Sequence, residues 1–133
     1  MSHMSTVGVV IKDLESLGTA CRRLGIELVR GQKTATYYGH NKVNCEHAIR
    51  VPSSAHEIAI IKNADGTYSL QADFYGLEGE KIRKLCGSNL GLLTQSYAVE
   101  KAKIEARRKG YSVLEKREED NSITLTLKRR VVA

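Results

Sequence analysis

Asp65-Gly66 stands between two segments that place large apolar residues at every second position, and this arrangement leaves the surrounding chain few options. Ile58 and Ile60 lie before it; Tyr68, Leu70, Ala72 and Phe74 lie after it. Both central positions of a two-residue turn tolerate positive φ when filled by Asp-Gly, so the pair predicts a hairpin between His56–Lys62 and Thr67–Phe74. A third alternating stretch, His47, Ile49 and Val51, precedes the breaker Pro52-Ser53-Ser54. Three consecutive antiparallel strands are therefore expected, with one face of each turned to a core.

The segments on either side of this meander carry a different period. The β-branched run Val7, Val9, Val10 and Ile11 predicts a strand over Thr6–Lys12. Asp13 then offers an N-cap oxygen to a helix whose apolar stripe is Leu14, Leu17, Cys21 and Leu24. Gly25 falls where a left-handed C-terminal residue is wanted, and Ile26–Arg30 reads as a second short strand. Gly31–Asn44 shows no period and reads as a long polar loop. Glu78–Lys109 is helical in pattern, and Gly87 and Gly91 break it into a short piece and a longer one. In the longer piece Leu90, Leu93, Tyr97 and Ile104 share a side, and Arg107, Arg108 and Lys109 suit the negative end of the dipole. Tyr111 and Val113, then Ile123, Leu125 and Leu127 across Glu118-Glu119-Asp120-Asn121, predict a closing hairpin. The fold class that follows is α+β: a single domain over residues 1–133, with a mostly antiparallel sheet carrying two main helices packed on one face.

Composition supports a folded chain. At 133 residues, 41% hydrophobic and 27% charged, the chain buries enough surface to fold without a disulfide or metal staple. Cys21, Cys45 and Cys86 are odd in number and form no Cys-x-x-Cys pair, which suits a reducing compartment. In Cys45-Glu46-His47 the first and third residues would share a strand face, but the remaining histidines supply no ligand set around them, and neither a metal nor a cofactor is expected. No run approaches a membrane span, and the opening residues lack a signal-peptide layout, so a cytoplasmic or plastid-stroma-like compartment is expected.

Several stretches resemble one family. Lys12-Asp13-Leu14-Glu15-Ser16-Leu17, Asn63-Ala64-Asp65-Gly66-Thr67-Tyr68, Leu93-Thr94-Gln95-Ser96-Tyr97-Ala98 and Gly110-Tyr111 before an acidic turn are similar to the hypothetical chloroplast reading frame thirty-five proteins of plastids, cyanobacteria and some phages. Val99-Glu100 departs from that pattern, standing where the family has an aromatic residue followed by histidine. The resemblance implies that Met1-Ser2-His3 is native sequence, and it carries no established activity.

Phosphate-loop and dinucleotide fingerprints, a nucleophile elbow and the zinc-protease helix motif are all missing from the sequence, so no catalytic residues are assigned. The segment from Arg30 to Asn44 is the exception to this blandness. Tyr37 and Tyr38 can stack on a planar ring, Arg30, Lys33 and Lys42 can neutralise phosphate, and His40, Asn41 and Asn44 can read polar edges. Arg50, with Arg22 and Arg23, could extend a positive rim, and Lys101 lies within a helical stripe from which it could reach an anion or simply snorkel. The expected function is capture, and in a phage setting sequestration, of an anionic nucleotide or nucleotide-derived molecule without chemistry. Nucleic-acid binding through Arg107-Arg108-Lys109 and Lys128-Arg129-Arg130 is the alternative, as is an accessory role with a protein partner. Counted by halves the charge is weakly polarised: residues 1–66 carry 8 Lys/Arg against 6 Asp/Glu, and residues 67–133 carry 13 against 9. An open sheet has edges to cover, which favours a homo-oligomer, most simply a dimer.

Overall fold

The computed structural model describes residues 4–130; Met1-Ser2-His3, expected above to be native sequence, lies outside them. Strands β1 (Ser5–Ile11), β2 (Glu27–Arg30), β5 (His47–Arg50), β6 (Glu57–Lys62) and β7 (Tyr68–Ala72) form one sheet in the order β1-β7-β6-β5-β2. Every neighbouring pair in it is antiparallel. Helices α1 (Leu14–Leu24), α2 (Gly76–Cys86) and α3 (Gly91–Arg108) supply the other half of the core.

Local chemistry explains the element boundaries. Asp13 accepts the Glu15 amide at 3.0 Å and opens α1, and Gly25 closes it at φ 75° with its N–H on the Arg22 carbonyl. Between β6 and β7, Asp65 accepts from the Thr67 amide, and Gly66 takes φ 87°. Gly87 at φ 83° and the left-handed Asn89 and Leu90 separate α2 from α3, as the glycine spacing predicts.

Sheet register decides which side each residue serves. His47 opposes Ile60 and Ile49 opposes Ile58, so the large aliphatics of β5, β6 and β7 point to the helices and meet Leu17, Cys21, Ile82, Leu90 and Leu93 in one fully buried cluster. The alternate residues turn to the opposite face. There Ala48 and Ala59 are also fully buried, and what covers them is the segment the sequence leaves as a loop.

That expectation is corrected here. Residues 31–44 contain a second small sheet, β3 (Thr34–Tyr37) paired antiparallel with β4 (Asn41–Asn44) through a short 3-10 turn at Tyr38–His40. Ala35 and its partner Val43 point inward onto Ala48 and Ala59. Small side chains on both surfaces let the two backbones approach closely, and this leaves no stripe of large apolar residues for a periodicity reading to find.

The closing hairpin, β8 (Tyr111–Arg117) with β9 (Ile123–Arg129), stands apart from the main sheet and packs against α3. An ion cluster fastens it. Arg23 of α1 contacts Glu100 at 2.8 Å and Glu115 at 3.1 Å, and Lys103 reaches the same two carboxylates at 3.3 and 2.8 Å. Glu100 is buried, and its charge is affordable only because both cations meet it. Hydrogen bonds from Arg23 and then Lys103 hold the Glu115 carboxyl down at about 2, against an ordinary 4.5. A folded-state value below the unfolded one stabilises the protein fully above the unfolded value, and that contribution is lost as pH falls from about 4.5 through about 2. Protection of the β8 and β9 amides relative to their intrinsic exchange rates is therefore expected to fall across that window, and Glu115→Gln is expected to flatten the dependence while lowering stability at neutral pH.

Candidate functional site

The β3–β4 hairpin is docked by two carboxylates as well as by alanine contact. Glu57 of β6 accepts the Thr36 amide at 3.0 Å. Asp73, one residue beyond β7 and 1% exposed, accepts the Tyr38 amide at 3.1 Å with one oxygen and the Tyr75 amide at 3.0 Å with the other. No cation pairs with Asp73 among the described residues, so backbone N–H groups alone satisfy this buried carboxylate. The adjacent buried His56 holds the Asp73 carbonyl through Nδ1 at 3.0 Å.

The geometry of the tip follows from this anchor. Gly39 and His40 are left-handed at φ 71° and 63°, and Asn41 donates from Nδ2 to the Tyr38 carbonyl at 2.7 Å, closing the turn. With both amides held by one carboxylate, the Tyr38 and Tyr75 rings meet edge to face, centroids 5.2 Å apart at 89°. Each residue is nevertheless 51% exposed, and Leu77 beside them is 80% exposed. The result is an open aromatic platform on a rigid mount. Tyr75, Leu77 and Asp73 are the parts that sequence reading misses; their signal is an acid and an aromatic just before the left-handed Gly76.

The anticipated residues are partly assembled here. Tyr38, His40, Asn41 and Lys42 are exposed at or near the hairpin tip, Asn44 is exposed at its base opposite Thr34, and Lys42 has no ion pair among the described residues. Tyr37 pairs with Asn41 in the β3–β4 register and is half-buried on the same side as Ala35. Lys33 is engaged by Glu46 at 3.2 Å, and Arg50 by Gln32 at 3.1 Å and Glu57 at 3.6 Å, so both border the hairpin with their charge already partnered. Two residues lie elsewhere. Arg30 shares its register position with His47 on the helix side of the sheet and lines a groove of about 570 Å³ with Arg22, Glu15 and Glu27. Lys101, on α3, contacts Glu105 at 2.7 Å, and both that pair and Arg23's ion cluster belong to the helical layer. The parity of β2 and the thickness of the sheet separate these side chains from the tip.

Cys45 and His47 do not share a face. Cys45 packs with the alanine cluster and donates its thiol to the Gln32 carbonyl at 3.3 Å, whereas His47 accepts the Gly31 amide at 2.9 Å and lies tilted against the Tyr68 ring on the other side. Burial raises the Cys21 and Cys86 thiols to about 12 and 11, leaving them protonated and unreactive in the core. No group of three or more candidate metal ligands occurs among the described residues, and no described helix is long and apolar enough to cross a membrane.

A family model described as a protein of unknown function, DUF1257, matches residues 20–126. The chain belongs to this family. The match runs from within α1 to within β9, a span that takes in the β3–β4 hairpin, Asp73, the aromatic pair and the ion cluster around Glu100. No curated protein and no solved structure matches the chain.

Proposed function

We propose that this protein binds, without chemistry, an anionic nucleotide or nucleotide-derived small molecule at the hairpin tip. The observation that carries the reading is the half-exposed Tyr38–Tyr75 pair, rigidly mounted on Asp73. A planar base can stack on the open ring faces, Lys42 can meet phosphate, and His40 and Asn44 can take polar edges. Holding such a ligand intact is sequestration, and the resemblance to plastid and phage proteins gives that role a setting, in a cytoplasmic or stroma-like compartment. A dimer through a sheet edge belongs to the same proposal.

Native mass spectrometry of protein purified from cells, followed by titration of the emptied protein with mono-, di- and cyclic nucleotides, tests it. The expected result is a retained mass of nucleotide type, recovered unchanged, and the same spectrum reads the oligomeric state. Tyr38→Ala is expected to weaken capture about tenfold, since stacking on an aromatic is worth about 1–3 kcal/mol per base, and Lys42→Ala by a similar factor, since a hydrogen bond to a charged group is worth about 1.5–3 kcal/mol. Their thermal midpoints should remain within about 2 °C of the parent, because neither side chain is in the core. Conversion of ligand to product overturns the reading, as does failure to bind across the panel.

A further inference from the structure

Arg107-Arg108-Lys109 and Lys128-Arg129-Arg130 are separated by eighteen residues in sequence, and the fold joins them. Gly110, directly after α3, accepts the Arg130 amide at 3.0 Å; Tyr111 then opposes Arg129, and Ser112 opposes Lys128. All six cations are exposed, and none forms an ion pair among the described residues. The nearest acid on α3, Glu105, is taken by Lys101. The chain has 21 Lys/Arg and 15 Asp/Glu, so apart from these six its cations and acids are equal in number. The six equal the net charge of +6 in number, and all of them fall in residues 67–133, where the half-by-half count of 13 Lys/Arg against 9 Asp/Glu does not show that they gather at one corner.

Beside the cations runs an open groove of about 390 Å³ lined by Ala102, Glu105, Ala106, Lys109, Tyr111 and Leu127. Its walls combine an aromatic ring with small apolar side chains. In the β8–β9 register Tyr111 and Arg129 are directly opposed, so both side chains leave the hairpin on the same side. We propose that this corner binds single-stranded nucleic acid, with the six cations tracking phosphates and a base entering the groove against Tyr111. Cations alone would suit any polyanion. The aromatic in a groove between helix and hairpin favours an unpaired base, because a duplex keeps its base faces stacked; Leu114 and Leu127 of the same hairpin are exposed, and the vesicle arm of the test reads whether they serve a bilayer instead. This site is distinct from the Tyr38 platform and does not depend on it.

The test is fluorescence anisotropy with a labelled, unstructured oligonucleotide of about 20 nucleotides, as RNA and as DNA, beside its duplex and beside vesicles of phosphatidylserine and phosphatidylcholine. Affinity for the single strand is expected to fall with salt between about 50 and 200 mM, with a log–log slope near −3 if about four phosphates are met. Replacing Arg107, Lys109, Arg129 and Arg130 by Gln should weaken binding at least about tenfold and flatten that slope. Lys33→Gln with Lys81→Gln, at ion pairs distant in the fold, should do neither. Tyr111→Leu should lose about tenfold for the single strand while Tyr111→Phe retains it, with thermal melts confirming that both variants fold. Absence of binding at low salt overturns the proposal, as does equal or better binding of duplex or vesicles, or an equal loss in the distant Lys variant. Tyr38→Ala should leave strand binding unchanged whether or not it alters nucleotide capture.

Discussion

Replacing Gly79 with alanine is expected to lower stability by at least about 3 kcal/mol, a fall in thermal midpoint on the order of 10 °C. The position is in the first turn of α2, where alanine ordinarily gains about 1 kcal/mol over glycine. Here a Cβ would fall on the carbonyl carbon and oxygen of Phe74, which are backbone atoms and cannot rotate aside. Phe74 is held in turn, because its carbonyl accepts from Arg83 and its neighbours Asp73 and Tyr75 are locked by the carboxylate described above. Relief requires α2 to lift from the sheet, exposing Ile82 and Cys86. Gly91→Ala provides the contrast: the residue has ordinary helical angles and no atom near the added methyl, so it should be neutral or stabilising by up to about 1 kcal/mol. Thermal melts of the two variants side by side check both expectations; equal midpoints would refute the close approach of α2 to the strand end.

The second large effect is expected from Asp73→Ala, at about 3 kcal/mol. Its carboxylate is the acceptor for two amides, and its loss strands the N–H groups of Tyr38 and Tyr75 with no replacement, at about 1–3 kcal/mol for a buried unsatisfied group. The damage should be local in form. Amide exchange at Tyr38 and Tyr75 should rise by far more than exchange in the β5–β6–β7 meander, and nucleotide capture should fall with the aromatic pair unmoored. Asp73→Asn retains one acceptor oxygen and should give an intermediate loss. Uniform acceleration of exchange across the protein would show instead that Asp73 supports the core at large.

The parts of this fold that are legible in the sequence are those whose cause is local. Asp13 and Gly25 bound α1 because a cap oxygen and a left-handed glycine act within one turn, and Asp65-Gly66 sets the β6–β7 hairpin for the same reason. The sheet face toward the helices is legible because Ile49, Ile58, Ile60 and Leu70 alternate. The opposite face is not. Ala35, Ala48 and Ala59 are as buried as any isoleucine, yet a lone alanine between Thr34 and Thr36 gives no hydrophobic period, and β3–β4 therefore reads as loop. The site shows the same division. Exposed Tyr38 and Lys42 can be singled out by type, while Tyr75 and Asp73 join them only through contacts across about thirty-five residues of chain. Arg23 reads as part of a positive rim, and the acids that neutralise it, Glu100 and Glu115, are visible only once α1, α3 and β8 meet.

Strand order has a consequence for how the chain comes together. The β5–β6–β7 meander closes over short connections, and its hairpins can form soon after their residues leave the ribosome. β1 cannot: its only neighbour in the sheet is β7, which follows it by some sixty residues, and until Tyr68–Ala72 is made the first strand has no partner. During synthesis Val7, Val9, Val10 and Ile11 thus wait as an unpaired apolar strand, the kind of segment that aggregates or recruits a chaperone. A stalled chain ending before β7 would hold that strand open, and one ending after Ala72 could close it.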